Sequence, residues 1–425
     1  MAASSQLKYP LKTPFSQRPI EKQEPRFVKP RRLSVIAAHH RLHDRKLRVA
    51  VIGGGPAGSF AAEALASGGI ETFLFERSPS TAIPCGGVIP LCMIDEFSIP
   101  IHLIDRHVTK MKIISPSNLT VDFRSKSLRT YESIPMLRRE VLDSFLQTQA
   151  ESAGARMIPS LVTHLEIPFS SSSPYVIHHT INNSRQTLAD DAIIDADEAN
   201  SKVAKSIKAG NYTCTIAFQE RIKLPDDKME YYQNLVEMYV GNDVSPDFYA
   251  QVFTKYDHVA VGTVIKVEAH PIPEHPRPTR VRGRVSLMGD AVGYVIKCSG
   301  EGIYFVAKSG RMCGEAIVRE SDGRESMISE DDLKREYLME WDKKYLSTFR
   351  FLNLLQRVFY GSDEAREALV EVCGSEYVQR MTFDSYLYKK LAQGDRFEDV
   401  KMVLSTLGSL MRCKIIGRDM EALKL

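Results

Sequence analysis

The sequence predicts an α/β fold: a parallel-sheet domain assembled from separated segments, an antiparallel sheet inserted in it, and a helical region at the end. Three observations predict it. An apolar run, Val49–Ile52, is followed at once by glycines, an apolar-periodic helix and a second apolar run, Thr72–Phe75. From Tyr212 to Gly262, Phe, Tyr, Val and Ile recur between turn residues, the pattern of antiparallel strands rather than of strand–helix–strand units. From Asp331 onward the periodicity is mostly helical.

The first stretch, Leu47–Arg77, organises the rest. Its glycines read Gly53-x-Gly55-x-x-Gly58, and the helix they open runs over 56–67. Gly53 lets the chain turn tightly from strand to helix. Gly55 lets a pyrophosphate approach the backbone, with Ala57 beside it in the first turn. Gly58 lets the helix pack close to the strand. The helix start offers free N–H groups and a positive dipole to phosphate. Glu76 ends the second strand, where a carboxylate accepts hydrogen bonds from ribose hydroxyls and repels a 2′-phosphate. That carboxylate points to FAD or NAD rather than NADP, and Arg77, which follows it, is a further candidate cofactor-binding residue.

A loop over 78–87 follows, then strand-like runs at 111–115 and 119–123. Apolar residues at three- and four-residue spacing predict a helix over 138–154, with Gly154 as its stop. Strands are predicted at 155–166, 175–180 and 192–194. The proline-rich run His270–Pro278 reads as a stiff extended connector; its two histidines have no third ligand nearby and do not make a metal site. Residues 284–288 read as a buried strand returning to the first domain, and 301–319 as a long helix. The domain assignment that follows is 1–45 as an N-terminal arm; 46–110, 136–210 and 280–325 as the Rossmann-like FAD-binding domain; 111–135 and 211–279 as the antiparallel-sheet substrate domain; and 326–425 as the C-terminal helical region.

Three further pieces suit one flavin. Arg139 opens a predicted helix, where it reaches a phosphate or ribose or else stays solvated. Asp290, after a buried strand, is placed to accept from a ribityl chain. Gly300 and Gly302 lead into the long helix, whose N–H groups suit negative charge on a flavin ring.

Composition bounds the partners. The net charge of +3 hides an asymmetry: residues 1–38 hold eight Lys/Arg against two Asp/Glu, while the rest is slightly acidic. A near-neutral body argues against nucleic acid as a partner. The basic, hydroxyl-bearing, acid-poor arm reads as an organellar transit peptide, with Val35-Ile36-Ala37-Ala38 favouring a plastid. The seven cysteines include no C-x-x-C pair, which argues against zinc and for a reducing compartment. No stretch has the apolar length of a transmembrane segment.

With these residues in view, the sequence resembles the plant chloroplast geranylgeranyl reductases, of the flavoprotein group that includes aromatic hydroxylases. The resemblance covers nearly the whole chain after the arm. It rests on the Gly53 fingerprint, Pro84–Cys92, Val108–Lys112, Ile114–Asn118, Arg138–Asp143, Ala217–Arg221, Met238–Gly241, Asp243–Tyr249, Val267–Pro278, Lys297–Tyr304 and Met381–Lys389. It implies FAD and NADPH as cofactors and reduction of geranylgeranyl diphosphate or geranylgeranyl-chlorophyll to the phytyl form. It also implies a peripheral place on thylakoids, facing the stroma, through a light-harvesting-like anchor protein. An isolated trisubstituted alkene is a poor hydride acceptor, so the reaction needs a proton donor in a dry apolar slot. Cys85, in the family's Cys-Gly-Gly stretch, is the candidate donor or substrate-positioning group; a small residue fitting a tight loop is the alternative. Tyr249, Gln251 and Phe253 are the candidate slot residues.

The sequence also departs from the family. Where the family has G-A-D-G-A-N-S, this chain has Asp195 and Glu198 at the two glycines, which predicts like-charge repulsion beside the pyrophosphate. Gln251 replaces a Trp of the slot. A helical segment expected after Thr263 is missing. These departures leave open a non-catalytic paralogue acting as a binding protein, and, less strongly, an FAD-dependent hydroxylase.

Overall fold

Arg48–Ile52 lies inside a six-stranded sheet, and its burial on both faces explains the unbroken apolar run. The sheet runs in the order Val281–Arg282, Val285–Leu287, Ala192–Asp195, Arg48–Ile52, Glu71–Glu76, Arg156–Pro159. All neighbours are parallel except the edge hairpin of Val281–Arg282 with Val285–Leu287. Three stretches far apart in sequence thus build one sheet, and Ile52 pairs with both Asp195 and Phe75, so the carboxyl ends of the strands come level. In the computed structural model, residues 45–78, 85–123, 128–264, 270–296, 298–321, 326–389, 406, 408, 409 and 411 are described. They belong to one compact unit spanning 39–425. The transit-peptide reading of the arm lies outside the described residues.

The fingerprint helix, Pro56–Ser67, has Pro56 at its first turn and is sandwiched between the sheet and two helices, Arg139–Ser152 and Ile303–Glu320. Glycines make that closeness possible. A Cβ on Gly58 would lie 1.8 Å from the Gly53 carbonyl oxygen. A Cβ on Gly310 would lie 1.9 Å from the Ala57 oxygen, and one on Gly314 2.8 Å from the Ala61 oxygen.

The single strand expected over 155–166 divides in two. Arg156–Pro159 joins the parallel sheet, and Leu161–Glu166 joins a three-stranded antiparallel sheet with Tyr175–Ile181 and Ser184–Asp190. Pro159 cannot donate a ladder hydrogen bond and marks the break.

A seven-stranded sheet forms the other layer, in the order His270–Pro273, Cys214–Ile222, Val259–Val264, Ser245–Thr254, Leu235–Gly241, Lys110–Ile114, Thr120–Phe123. Two expectations need correction. The sheet is not purely antiparallel, because Leu235–Gly241 and Lys110–Ile114 pair in parallel. The start of the proline run is an edge strand rather than a free connector, since Pro271 and Pro273 are tolerated where a missing N–H leaves no ladder unfilled. A short helix, Asp226–Tyr231, also interrupts the β pattern.

The helical region packs on both layers. Trp341 is buried and stacks on Tyr294 at 4.1 Å between ring centroids, within the core around the parallel sheet. Asp363–Cys373 and Glu376–Tyr388 cover the seven-stranded sheet, where Phe383 meets Phe123 edge-on at 5.6 Å. Arg366 is fully buried. It ties these helices to the sheet through Asn242 Oδ1 at 2.7 Å, Asp363 Oδ1 at 2.8 Å and the carbonyls of Pro246 and Tyr360.

The Gly310 contact yields a stability prediction. Gly310→Ala forces a methyl into the Ala57 backbone and is expected to lower stability by roughly 1–3 kcal/mol, as overpacking does. Thermal unfolding of the purified protein measures it, and an unchanged Tm would mean that the two helices separate without cost.

Candidate active site

One cavity of about 640 Å³ lies at the carboxyl ends of the parallel strands and continues between the two large sheets. Its polar end is built by the fingerprint. Gly53 has φ of +101°, and a Cβ there would meet the Ala196 oxygen at 2.3 Å. Gly55 is uncrowded: the nearest atom to a Cβ there is Arg139 Nη2 at 3.7 Å, ordinary van der Waals contact. The helix that follows has no side-chain cap, so its first N–H groups are left for a ligand. Glu76 accepts from Gly54 N–H at 2.7 Å and Ser78 N–H at 2.8 Å, so its carboxylate braces the turn while lining the cavity. Gln147 donates to the Gly54 carbonyl at 2.9 Å. That contact was missed in the sequence. Its signal was a run of polar residues, 139, 143 and 147, at four-residue spacing along a helix with a buried face.

Arg139 lines the cavity but is not a free phosphate clamp. Its guanidinium forms a two-point pair with Asp143, at 3.1 and 3.0 Å, and its Nη1 lies 3.6 Å from Cys85 Sγ. Arg77 likewise pairs with Glu198 at 3.0 Å.

The apolar end takes Tyr249, Gln251 and Phe253 from Ser245–Thr254, where alternation along a strand turns all three to one face. Cys85 joins them. A Cβ on Gly86 would lie 3.0 Å from the Phe253 ring and 3.4 Å from Gln251 Nε2. Gly87 N–H donates to Cys85 Sγ at 3.4 Å. Lys255, just past the end of the same sheet strand, holds this loop from behind: its Nζ donates to the Gly86 carbonyl and, at 3.0 Å, to the Leu137 carbonyl. Burial pushes its ammonium down to about 8. Asp290 lines the cavity where the two ends meet, with Gly300 and Gly302. Tyr249 Oη donates to the Ser299 carbonyl at 2.8 Å and fastens that loop. Thr382, Phe383 and Tyr386 of the helix Glu376–Tyr388 close a wall that the sequence reading did not anticipate. Of the predicted residues, Gly58 alone stays off the lining, because it packs the turn instead.

The departures separate on inspection. Asp195 does not face the cofactor cleft, contrary to expectation. It is fully buried, accepts from Ser201 Oγ at 2.6 Å and from Asp197 N–H at 3.2 Å, and burial raises it to about 7. Ser201 in turn caps the helix Lys202–Ser206 by accepting from Ala204 N–H. Glu198 does line the cavity, and its φ of +57° is the left-handed geometry that suits glycine. The Gln251 side chain makes no hydrogen bond among the described residues and sits over Gly262, where a Cβ would come within 3.1 Å of its Nε2. The residues after Val264 that bear on the missing segment, 265–269, lie outside the described residues.

An FAD binding domain family matches residues 46–88. A tobacco (Nicotiana tabacum) protein named geranylgeranyl diphosphate reductase, chloroplastic, is 54% identical over 93% of this chain and 92% of its own. The chain belongs to the geranylgeranyl diphosphate reductase family. A Synechocystis family member is 53% identical over 86% of this chain and 98% of its own length. A Thermoplasma acidophilum crystal structure, described as geranylgeranyl bacteriochlorophyll reductase-like, shares the fold at a TM-score of 0.64 and 19% identity, covering 81% of this chain and 98% of its own. The alignment to the tobacco reductase runs over 429 positions, more than this chain has residues, while covering 93% of it. The tobacco reductase therefore carries residues that this chain lacks. FAD, the cofactor of this reductase family, fits the polar end: the open approach at Gly55, the uncapped helix start and the Glu76 carboxylate are the donors and acceptors a dinucleotide needs.

Asp197 also lines that end, and burial raises its carboxyl to about 6. A carboxylate opposes a pyrophosphate and a neutral carboxyl does not, so FAD affinity is expected to rise as pH falls through about 6. Asp197→Asn is expected to tighten FAD at neutral pH and flatten the profile. Fluorescence titration of FAD against pH is the measurement, and identical profiles for the two proteins would place Asp197 away from the pyrophosphate.

Proposed function

We propose that this chain reduces the isolated double bonds of geranylgeranyl diphosphate, or of geranylgeranyl-chlorophyll, to the phytyl form for chlorophyll and tocopherol biosynthesis in the chloroplast. NADPH is the reductant. When bound, FAD carries hydride from NADPH to the alkene. The observation that supports the reading best is the continuity of one cavity, from the dinucleotide turn at Gly53–Gly55 to a slot lined by Tyr249, Phe253, Met238 and Phe383. Such a slot keeps water from an isoprenoid chain at the place where the chemistry happens.

Cys85 stands at the junction of the two ends. Its thiol is the proton donor to the alkene carbon that does not receive hydride. Arg139 donates toward Sγ and fixes its direction, while Lys255 keeps the Gly86–Gly87 turn from moving away. Tyr249, Gln251 and Phe253 hold the isoprenoid chain; Glu76 and Asp290 hold ribose and ribityl hydroxyls. The chain acts on the stromal side of the thylakoid, held there by a light-harvesting-like anchor protein. No helix among the described residues is long and apolar enough to cross a membrane.

Turnover of geranylgeranyl diphosphate by the purified, FAD-loaded protein with NADPH tests the proposal. Cys85→Ala is expected to lower kcat by about 10²-fold or more, the usual weight of a general acid, with FAD still bound. Unchanged turnover would remove Cys85 from the chemistry. In the same assay Gln251→Trp combined with Glu198→Gly is expected to raise kcat/KM about tenfold, because an unpaired amide in an apolar slot costs about 1–3 kcal/mol. A fall in kcat/KM would mean that this slot is fitted to glutamine.

A further inference from the structure

The helix Glu376–Tyr388 ends against the loop that leads into Ile303–Glu320. Lys389 follows it in the left-handed region, with φ of +52°. Its side chain is only 7% exposed, as is that of Glu301, and the two form an ion pair. Glu301 stands between Gly300, with φ of +62°, and Gly302, the residue that precedes the first turn of Ile303–Glu320. Glu301 lines the cavity. Its loop is otherwise fastened by Ile296 N–H donating to the Glu301 carbonyl at 2.9 Å and by Tyr249 on Ser299. Lys389 Nζ also lies 4.2 Å from the centre of the Tyr386 ring. Tyr386 lines the same cavity, and its buried hydroxyl has no hydrogen-bond partner among the described residues.

Removing two charges from water is costly, and an apolar pair of the same volume generally serves stability as well. A charge pair kept at this corner calls for another role. We infer that Lys389 is a positioning residue for the flavin: through Glu301 it holds the Gly300–Gly302 loop and neutralises a carboxylate that would otherwise stand beside the flavin ring. The end of the helix Glu376–Tyr388, remote in sequence from the dinucleotide turn, thereby sets the electrostatics of the redox centre. The inference rests on reading Cys298–Gly302 as the flavin-facing loop.

The test uses the full chain loaded with FAD, with dissociation constant and flavin midpoint potential as readouts. Lys389→Met leaves Glu301 unpaired. It is expected to weaken FAD about tenfold or more and to shift the potential negative, since an uncompensated carboxylate opposes added electrons. Glu301→Gln leaves the lysine charge and is expected to shift the potential positive. Opposite shifts support the inference. Unmoved potentials, or shifts of the same sign, overturn it even if Tm falls in both. If Lys389→Met does not fold, Glu301→Gln decides alone: a positive shift supports the inference and an unmoved potential overturns it. Gly300→Ala, which would set a methyl 2.8 Å from the Phe248 ring, separates the two layers of the argument. A potential moved by Gly300→Ala but not by the charge variants defeats the role of Lys389 alone. A potential unmoved by all three defeats the reading of the loop as well.

Discussion

The closeness of the fingerprint helix to its neighbours is the constraint on which the site depends. Gly58 lies against the Gly53 carbonyl on one side, and Gly310 and Gly314 lie against the Ala57 and Ala61 backbone on the other. With no side chain in these contacts, the helix start is locked in place relative to the strand ends. The free N–H groups of that start therefore point into the cavity at a fixed height. Everything that a dinucleotide needs at its phosphates follows from this, because the helix dipole and orphan donors act only over the first turn. The long helix that presses on it from the other side starts just after Gly302, so the same contacts tie the polar end of the cavity to the Gly300–Gly302 loop.

The charges around the cleft are mostly spent on one another. Arg139 is committed to Asp143 and Arg77 to Glu198, while Glu76 is taken up by two backbone N–H groups. Neutralisation of an anionic cofactor then falls to backbone donors rather than to side-chain cations. Paired carboxylates also repel less than free ones, so the Arg77 pairing offsets part of what Glu198 adds at the cavity edge. The strained φ of Glu198 is not offset in this way, since it belongs to the backbone and not to the charge.

What was legible in the sequence was what short-range physics decides. The strand–glycine–helix turn, the helix over 56–67 and the strand alternation that clusters Tyr249, Gln251 and Phe253 are set by neighbours within a few residues. Long-range pairing was not legible. The parallel pairing of Leu235–Gly241 with Lys110–Ile114 brings together segments more than a hundred residues apart, and neither strand carries a mark of it. Lys255 reads as an ordinary charged residue until Gly86 and Leu137 are seen to surround it. Tyr386 sits in a helix whose periodicity promises only packing and Lys389 just past its end, yet that end is a wall of the cavity.

Asp195 and Glu198 show why a motif departure has to be judged in place. Both stand where the resemblance has glycine, and on paper both add a negative charge beside a pyrophosphate. Asp195 is the last residue of a buried strand, so its carboxylate turns inward and finds Ser201, which caps the next helix. Its charge acts on a fold contact and is itself pushed toward the neutral form by burial. Glu198, three residues on, has left the strand; its backbone carries the turn in the left-handed region and its side chain reaches the cavity. One substitution has therefore been absorbed by a new hydrogen bond, while the other keeps its backbone strain in full and its charge only partly offset by Arg77. That places the burden of the departures on Glu198 and Gln251, the two that touch the space a ligand would fill.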